Sequence, residues 1–109
     1  MILAQVLGTV VSTRKDSGLL GLKLMLVREV DAQFAPTGQQ VVAVDAVGAG
    51  TDELVLVAQG SSARNTEVSR DKPVDAVIAG IVDAVEIAGR DAWLKNAAVS
   101  RAPAGSPRR

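Results

Sequence analysis

The chain has 109 residues, enough for one domain and too few for two. Its hydrophobic content is 48%, yet Phe34 and Trp93 are its only aromatic residues, so the core must be built from aliphatic side chains. Twelve basic and twelve acidic residues cancel, and cysteine, histidine and tyrosine are absent. This composition excludes disulfides and thiolate chemistry, removes the commonest general base, and lacks the basic footprint of a nucleic-acid binder.

Met1–Val11 is apolar but has neither a basic start nor a signal-peptide cleavage pattern, and no apolar run approaches the ~20 residues that span a bilayer. A soluble, cytoplasmic protein with no membrane partner is the expectation. Residues Ile2–Thr13 read as a strand. Ile2, Ala4, Val6, Gly8 and Val10 form an apolar face, and Leu3, Gln5, Leu7, Thr9, Val11 and Thr13 form a mixed one. Gly8 in its middle predicts a bend or a close backbone approach. Lys15–Gly18 is a turn. Leu22–Asp31 alternates imperfectly and predicts a second strand, with Leu22, Leu24, Leu26 and Val30 on one face and Met25 and Val27 interrupting the polar set opposite. Ala35–Gly38 is a turn signal. Val41–Val47 predicts a third strand, with Asp45 on one face and Val42, Val44 and Ala46 on the other, and Leu54–Ala58 predicts a fourth.

Gly48-Ala49-Gly50-Thr51-Asp52 joins these last two strands tightly. Ser61–Thr66 predicts a short helix, capped by Ser61 or Ser62 and ended by Asn65. Val74–Ile87 fits two periods. Val74, Val77, Ile78, Ile81, Val82 and Val85 follow helical spacing after Pro73, while Ile78, Gly80, Val82 and Ala84 alternate as a strand would. Four short strands joined by glycine-containing turns suggest a barrel or sandwich, and a barrel that needs a closing strand favours the strand reading. Gly89 ends this element, and Trp93 and Leu94 are placed to pin the segment Asp91–Ala98 to the body. A domain over residues 1–98 is expected to be followed by a flexible basic tail over 99–109, which carries Arg101, Arg108 and Arg109 and ends in the patternless APAGSPRR.

The chemistry-bearing candidates are few. Glu53, Asp75 and Asp83 are acidic but have no partner base, and Ser61-Ser62 has nothing to activate a nucleophile. Arg14-Lys15 reads as a solvated pair. No catalytic residue, cofactor site or metal site is expected. What stands out is the run Val41–Arg64, VVAVDAVGAGTDELVLVAQGSSAR. Its small residues permit another backbone to come close, and Arg64 can fork hydrogen bonds to carbonyls or carboxylates. Such a surface is suited to being packed against.

Five blocks in order, GTVVSTRK (Gly8–Lys15), GLKLMLV (Gly21–Val27), VAVDAVGAG (Val42–Gly50), VAQGSSAR (Val57–Arg64) and KPVDAVIAGIVDAVE (Lys72–Glu86), resemble the EutN/CcmL family of pentameric vertex proteins from bacterial microcompartment shells. The resemblance implies an all-β fold, a five-stranded barrel like that of oligonucleotide-binding domains, with one short helix before the last strand. It implies a homopentamer in the microcompartment shell, neighbouring hexameric shell proteins as partners, and no enzymatic activity. It makes Gly48, Ala49, Gly50, Glu53, Ser61, Ser62, Ala63 and Arg64 the candidate assembly interface. The family turn GAGxGE reads GAGTDE here, so Asp52 replaces a glycine and is expected to bear any positive φ that the turn needs. The alternative function for such a barrel is single-stranded nucleic-acid binding, which two aromatics and zero net charge disfavour.

Overall fold

Period-two alternation dictates the architecture, and the computed structural model describes residues 1–95. Seven strands form: β1 (Ile2–Val10), β2 (Leu24–Val30), β3 (Pro36–Asp45), β4 (Leu54–Gln59), β5 (Ala76–Ile81), β6 (Ala84–Ile87) and β7 (Arg90–Leu94). The first five close into a barrel in the order β1-β2-β3-β5-β4, and β6 pairs with β7 as a separate hairpin. All contacts in the barrel are antiparallel except the short parallel seam between β3 and β5.

Each strand of the barrel sends residues into one shared core. Ala4 and Val6 come from β1, Met25 and Val27 from β2, Ala43 from β3, Val55 and Val57 from β4, and Ile78 from β5; Ala49 reaches in from a loop. A residue seen from all five strands at once can only point into the barrel. Two smaller clusters bury parts of the outside. Val44, Ala58, Ala63 and Val77 lie beneath the turn after β4, and Val30, Leu54 and Trp93 lie beneath the hairpin. The strands are apolar on both faces because both faces are partly covered.

Several sequence expectations shift by this logic. In β2 the inward residues are Met25 and Val27, not the Leu22–Val30 set, since Leu24 packs into the outer cluster instead. Val30, on the same outward face as Leu24, is buried by the hairpin. The turn expected at Ala35–Gly38 lies earlier. Asp31 accepts the amides of Gln33 and Ala35 on Oδ1, its own amide bonds the Ala35 carbonyl, and β3 begins at Pro36. The bend at Gly8 is a bulge between Val6 and Gly8.

Val74–Ile87 is extended, in keeping with the barrel's need for a closing strand, but it breaks in two. Ala76–Ile81 closes the barrel and Ala84–Ile87 leaves it to pair with Arg90–Leu94. Ala88 and Gly89 form the two-residue hairpin loop, both at positive φ (53° and 78°), as a turn matching the strand twist requires. The expected short helix is a single 3₁₀ turn, Gly60–Arg64. The helical geometry lasts only the five residues before Asn65, too few to complete the second turn that a stable α-helix needs. Asn65 ends the turn as expected, but no serine caps it: Ser62 Oγ donates to the Gln59 carbonyl instead. Trp93 pins the hairpin, 3% exposed and 5.2 Å from the Phe34 ring, whereas Leu94 is largely exposed. The expected tail over 99–109 lies outside the described residues.

Candidate assembly surface

The loop between β3 and β4 is held by two carboxylates. Asp45, at the end of β3 and nearly buried, accepts the amides of Val47, Gly48 and Ala49 on Oδ1 at 3.0, 3.0 and 3.2 Å. This is an Asx-type turn extended by one residue. Glu53 closes the other side, accepting the Gly50 amide on Oε1 at 2.6 Å and pairing through Oε2 with Lys95 Nζ at 3.0 Å. The backbone bonds Asp52 N–H to the Val6 carbonyl and Val6 N–H to the Glu53 carbonyl stitch the loop to β1.

Within that frame, Gly48 adopts φ 78° and Asp52 φ 72°, so Asp52 does carry the positive φ expected of the substituted glycine. Gly50 does not. A Cβ there would meet Glu53 Oε1 at 3.4 Å, an ordinary van der Waals contact. Ala49 is 2% exposed and plugs the barrel core, so its methyl is an anchor rather than a contact surface. Gly48 and Thr51 stand exposed on the rim.

The second small-residue segment begins where β4 ends. Ser61, Ser62 and Arg64 are exposed, while Ala63 is fully buried against Val44, Ala58 and Val77. Ala63 is again an anchor, reinforced by Ser69, which is buried and donates its hydroxyl to the Ala63 carbonyl. Ser61, Arg64 and Asn65 border an open depression together with Arg70, Asp71, Lys72 and Pro73. Three cations face one carboxylate there, an environment that attracts carboxylates and carbonyl oxygens. Sequence reading singled out Arg64 alone. Arg70 and Lys72 were missed because only the loop Asn65–Asp75 folding back over Ala63 brings them beside it.

The two segments flank opposite ends of β4, roughly 17 Å apart at the usual rise per residue. They are therefore two separate surface segments and not one patch. The acidic residues are also divided: Glu53 and Asp83 lie near Lys95, whereas the Asp75 carbonyl accepts the Gly60 amide at the other end. Among the described residues no group of three His, Cys, Asp or Glu side chains could hold a metal ion, and no helix is long and apolar enough to cross a membrane.

Comparison with known proteins agrees with the barrel fold. The model of the family described as "Ethanolamine utilisation protein EutN/carboxysome" matches residues 1–83. A carboxysome shell vertex protein, CcmL of Synechocystis, is 48% identical over 95 residues, covering 87% of this chain and 95% of its own. A solved carboxysome subunit, CcmL, superposes with a TM-score of 0.84 at 48% identity, over 87% of this chain and 99% of that one. The GrpN pentameric microcompartment shell protein of Rhodospirillum rubrum superposes with a TM-score of 0.71 at 46% identity, over 80% and 98%.

Proposed function

This chain belongs to the EutN/CcmL family, and on that premise we propose that it is a structural vertex protein whose five copies form a ring at the corners of a bacterial microcompartment shell. The observation that carries the reading is near-half identity to a shell vertex protein across almost the whole described chain, with the same closed barrel. The chain is a building block and not an enzyme. Its mechanism is geometric: identical wedges close through heterologous contacts, and the ring supplies curvature that flat sheets of hexamers lack.

The finer assignment concerns the outer edge of the ring. The Gly48–Glu53 loop and the Ser61–Arg64 turn are the points at which hexameric shell proteins approach. Gly48 and Gly50 present backbone without side-chain bulk, while Ala49 and Ala63 hold the two segments rigid from within. Arg64, flanked by Arg70 and Lys72, offers its guanidinium to carbonyls or carboxylates of the neighbour. The test is co-expression with hexameric shell proteins. Closed polyhedral particles should form when the chain is present, and elongated or open ones when it is absent. Particles of equal closure with and without it would contradict the proposal.

A further inference from the structure

One buried hydrogen-bonded node gathers three cations around a single depression. Ser69 is fully buried, donates its hydroxyl to the Ala63 carbonyl and receives that of Thr66. Its amide donates to Thr66 Oγ1 at 3.0 Å, and its carbonyl accepts the Lys72 amide at 3.0 Å. Arg64 follows Ala63 and Arg70 follows Ser69, so the bond between Ala63 and Ser69 brings both arginines to the same depression. The tight turn from Ser69 to Lys72 adds the lysine. Asp71, inside that turn, takes φ 58°, a left-handed conformation that strains a non-glycine residue.

The depression measures about 860 Å³ and opens to solvent. Arg64 and Arg70 are exposed at its rim and Lys72 is half-buried. Among the described residues none of the three makes a side-chain hydrogen bond or an ion pair, and Asp71, the one carboxylate at the rim, pairs with none of them. The Ser61 hydroxyl and the Asn65 amide border the same space. Like charges held together without a counter-charge repel one another, and a bound oxyanion removes that repulsion.

We propose that this depression is a binding site for a phosphate group, carried by a small phosphorylated molecule or by free phosphate. Arg64 and Arg70 supply forked N–H donors, Lys72 a third charge, and Ser61 and Asn65 neutral donors, which together complement a tetrahedral dianion. Asp71 limits what else fits. Its carboxylate repels further negative charge but accepts a hydrogen bond, so a phosphate monoester bearing a hydroxyl suits the site better than a polyanion. One depression on a chain of zero net charge takes one phosphate, not the run of phosphates in a nucleic acid. The site belongs to the folded chain itself. Its consequence for assembly rests on the reading above: where Arg64 meets a shell neighbour, phosphate and that neighbour compete for one guanidinium.

Isothermal titration calorimetry of the full-length chain with inorganic phosphate and with glycerol 3-phosphate, at ionic strength held constant with chloride, tests the proposal. One site per chain is expected, with a Kd on the order of 1 mM, weakening as the ionic strength is raised. Arg70→Gln and Lys72→Gln keep the aliphatic stem and lose the charge; each should weaken binding about tenfold at an unchanged melting temperature. Arg90→Gln, the same charge loss at an exposed position of β7, should bind as the wild type does. Tighter binding of glycerol 3-phosphate, with the advantage lost in Asp71→Gly, assigns the site to a phosphorylated molecule, and equal affinity for the two probes assigns it to free phosphate. No saturable binding up to about 10 mM of either probe, or equal weakening by Arg90→Gln, overturns the proposal and leaves the shell reading standing. If the glutamine variants melt early, the wild-type melting temperature decides: a rise with phosphate beyond that with chloride at equal ionic strength supports the site, and no rise overturns it.

Discussion

Asp45 organises more backbone than any other side chain on the candidate surface, receiving three consecutive amides as β3 turns toward β4. Asp45→Ala leaves those amides without their acceptor in a partly buried loop, a cost of about 2 kcal/mol. Thermal unfolding should therefore fall by roughly 10 °C for a domain of this size. Asp45→Asn keeps the Oδ1 acceptor and should recover most of that loss. The role was written in the sequence as an Asx signal three residues before a glycine, but a lone aspartate in an aliphatic strand reads first as an outward polar residue. Ala49 and Ala63 misled in the opposite sense. Small residues beside glycine and serine suggest a contact surface, and only the closed barrel shows their methyls buried. For the exposed members the expectation is sharper. Gly50→Leu meets no positive φ and, at its Cβ, only an ordinary contact with the Glu53 carboxylate. Arg64→Glu reverses one of three clustered cations. Both variants should keep wild-type melting and ring formation while recovery in purified shells drops several-fold; normal recovery of both would sink the assignment of these residues to the hexamer contact.

β1 and β4 were legible because a short aliphatic, β-branched run beside turn signals reads as a strand even where both faces are apolar, whereas β3 was expected only from Val41 and begins at Pro36. β2 was located but its faces were exchanged, because Leu24 packs outward beneath the turn after β4 while Met25 fills the barrel, and both are apolar. The segment Val74–Ile87 satisfied two periods at once, and only the closure requirement chose between them. The break at Val82–Asp83 left no sequence mark of its own. It follows from the Val82 amide bonding the Leu54 carbonyl, after which the chain departs to form the hairpin anchored by Trp93. That anchoring places the last tertiary contacts of the described chain at Trp93 and at the Lys95–Glu53 ion pair. Removal of Ala102–Arg109, which carries no apolar pattern, should accordingly leave melting temperature and ring size unchanged. A truncated chain that is insoluble or monomeric in size-exclusion chromatography would show that the tail is structural.

At the scale of the molecule, the barrel shares its strand count with nucleic-acid-binding barrels but lacks their working surface. Its two aromatic rings pack against each other at a tilt, and Trp93 is buried beneath the hairpin, so no platform remains on which bases could stack. Fluorescence anisotropy with single-stranded DNA or RNA should show no saturable binding at micromolar protein; tight binding that weakens steeply with salt would restore the alternative. The features that do reach the surface are two rigid segments at opposite ends of β4. The proposal assigns both of them to contacts with other chains. The central claim is that five copies meet in a closed ring, and native mass spectrometry of the isolated full-length chain tests it most directly. The account predicts a dominant species at five times the 11.2 kDa chain mass at micromolar concentration. A dominant monomer, or a dominant ring of any other number, would contradict it.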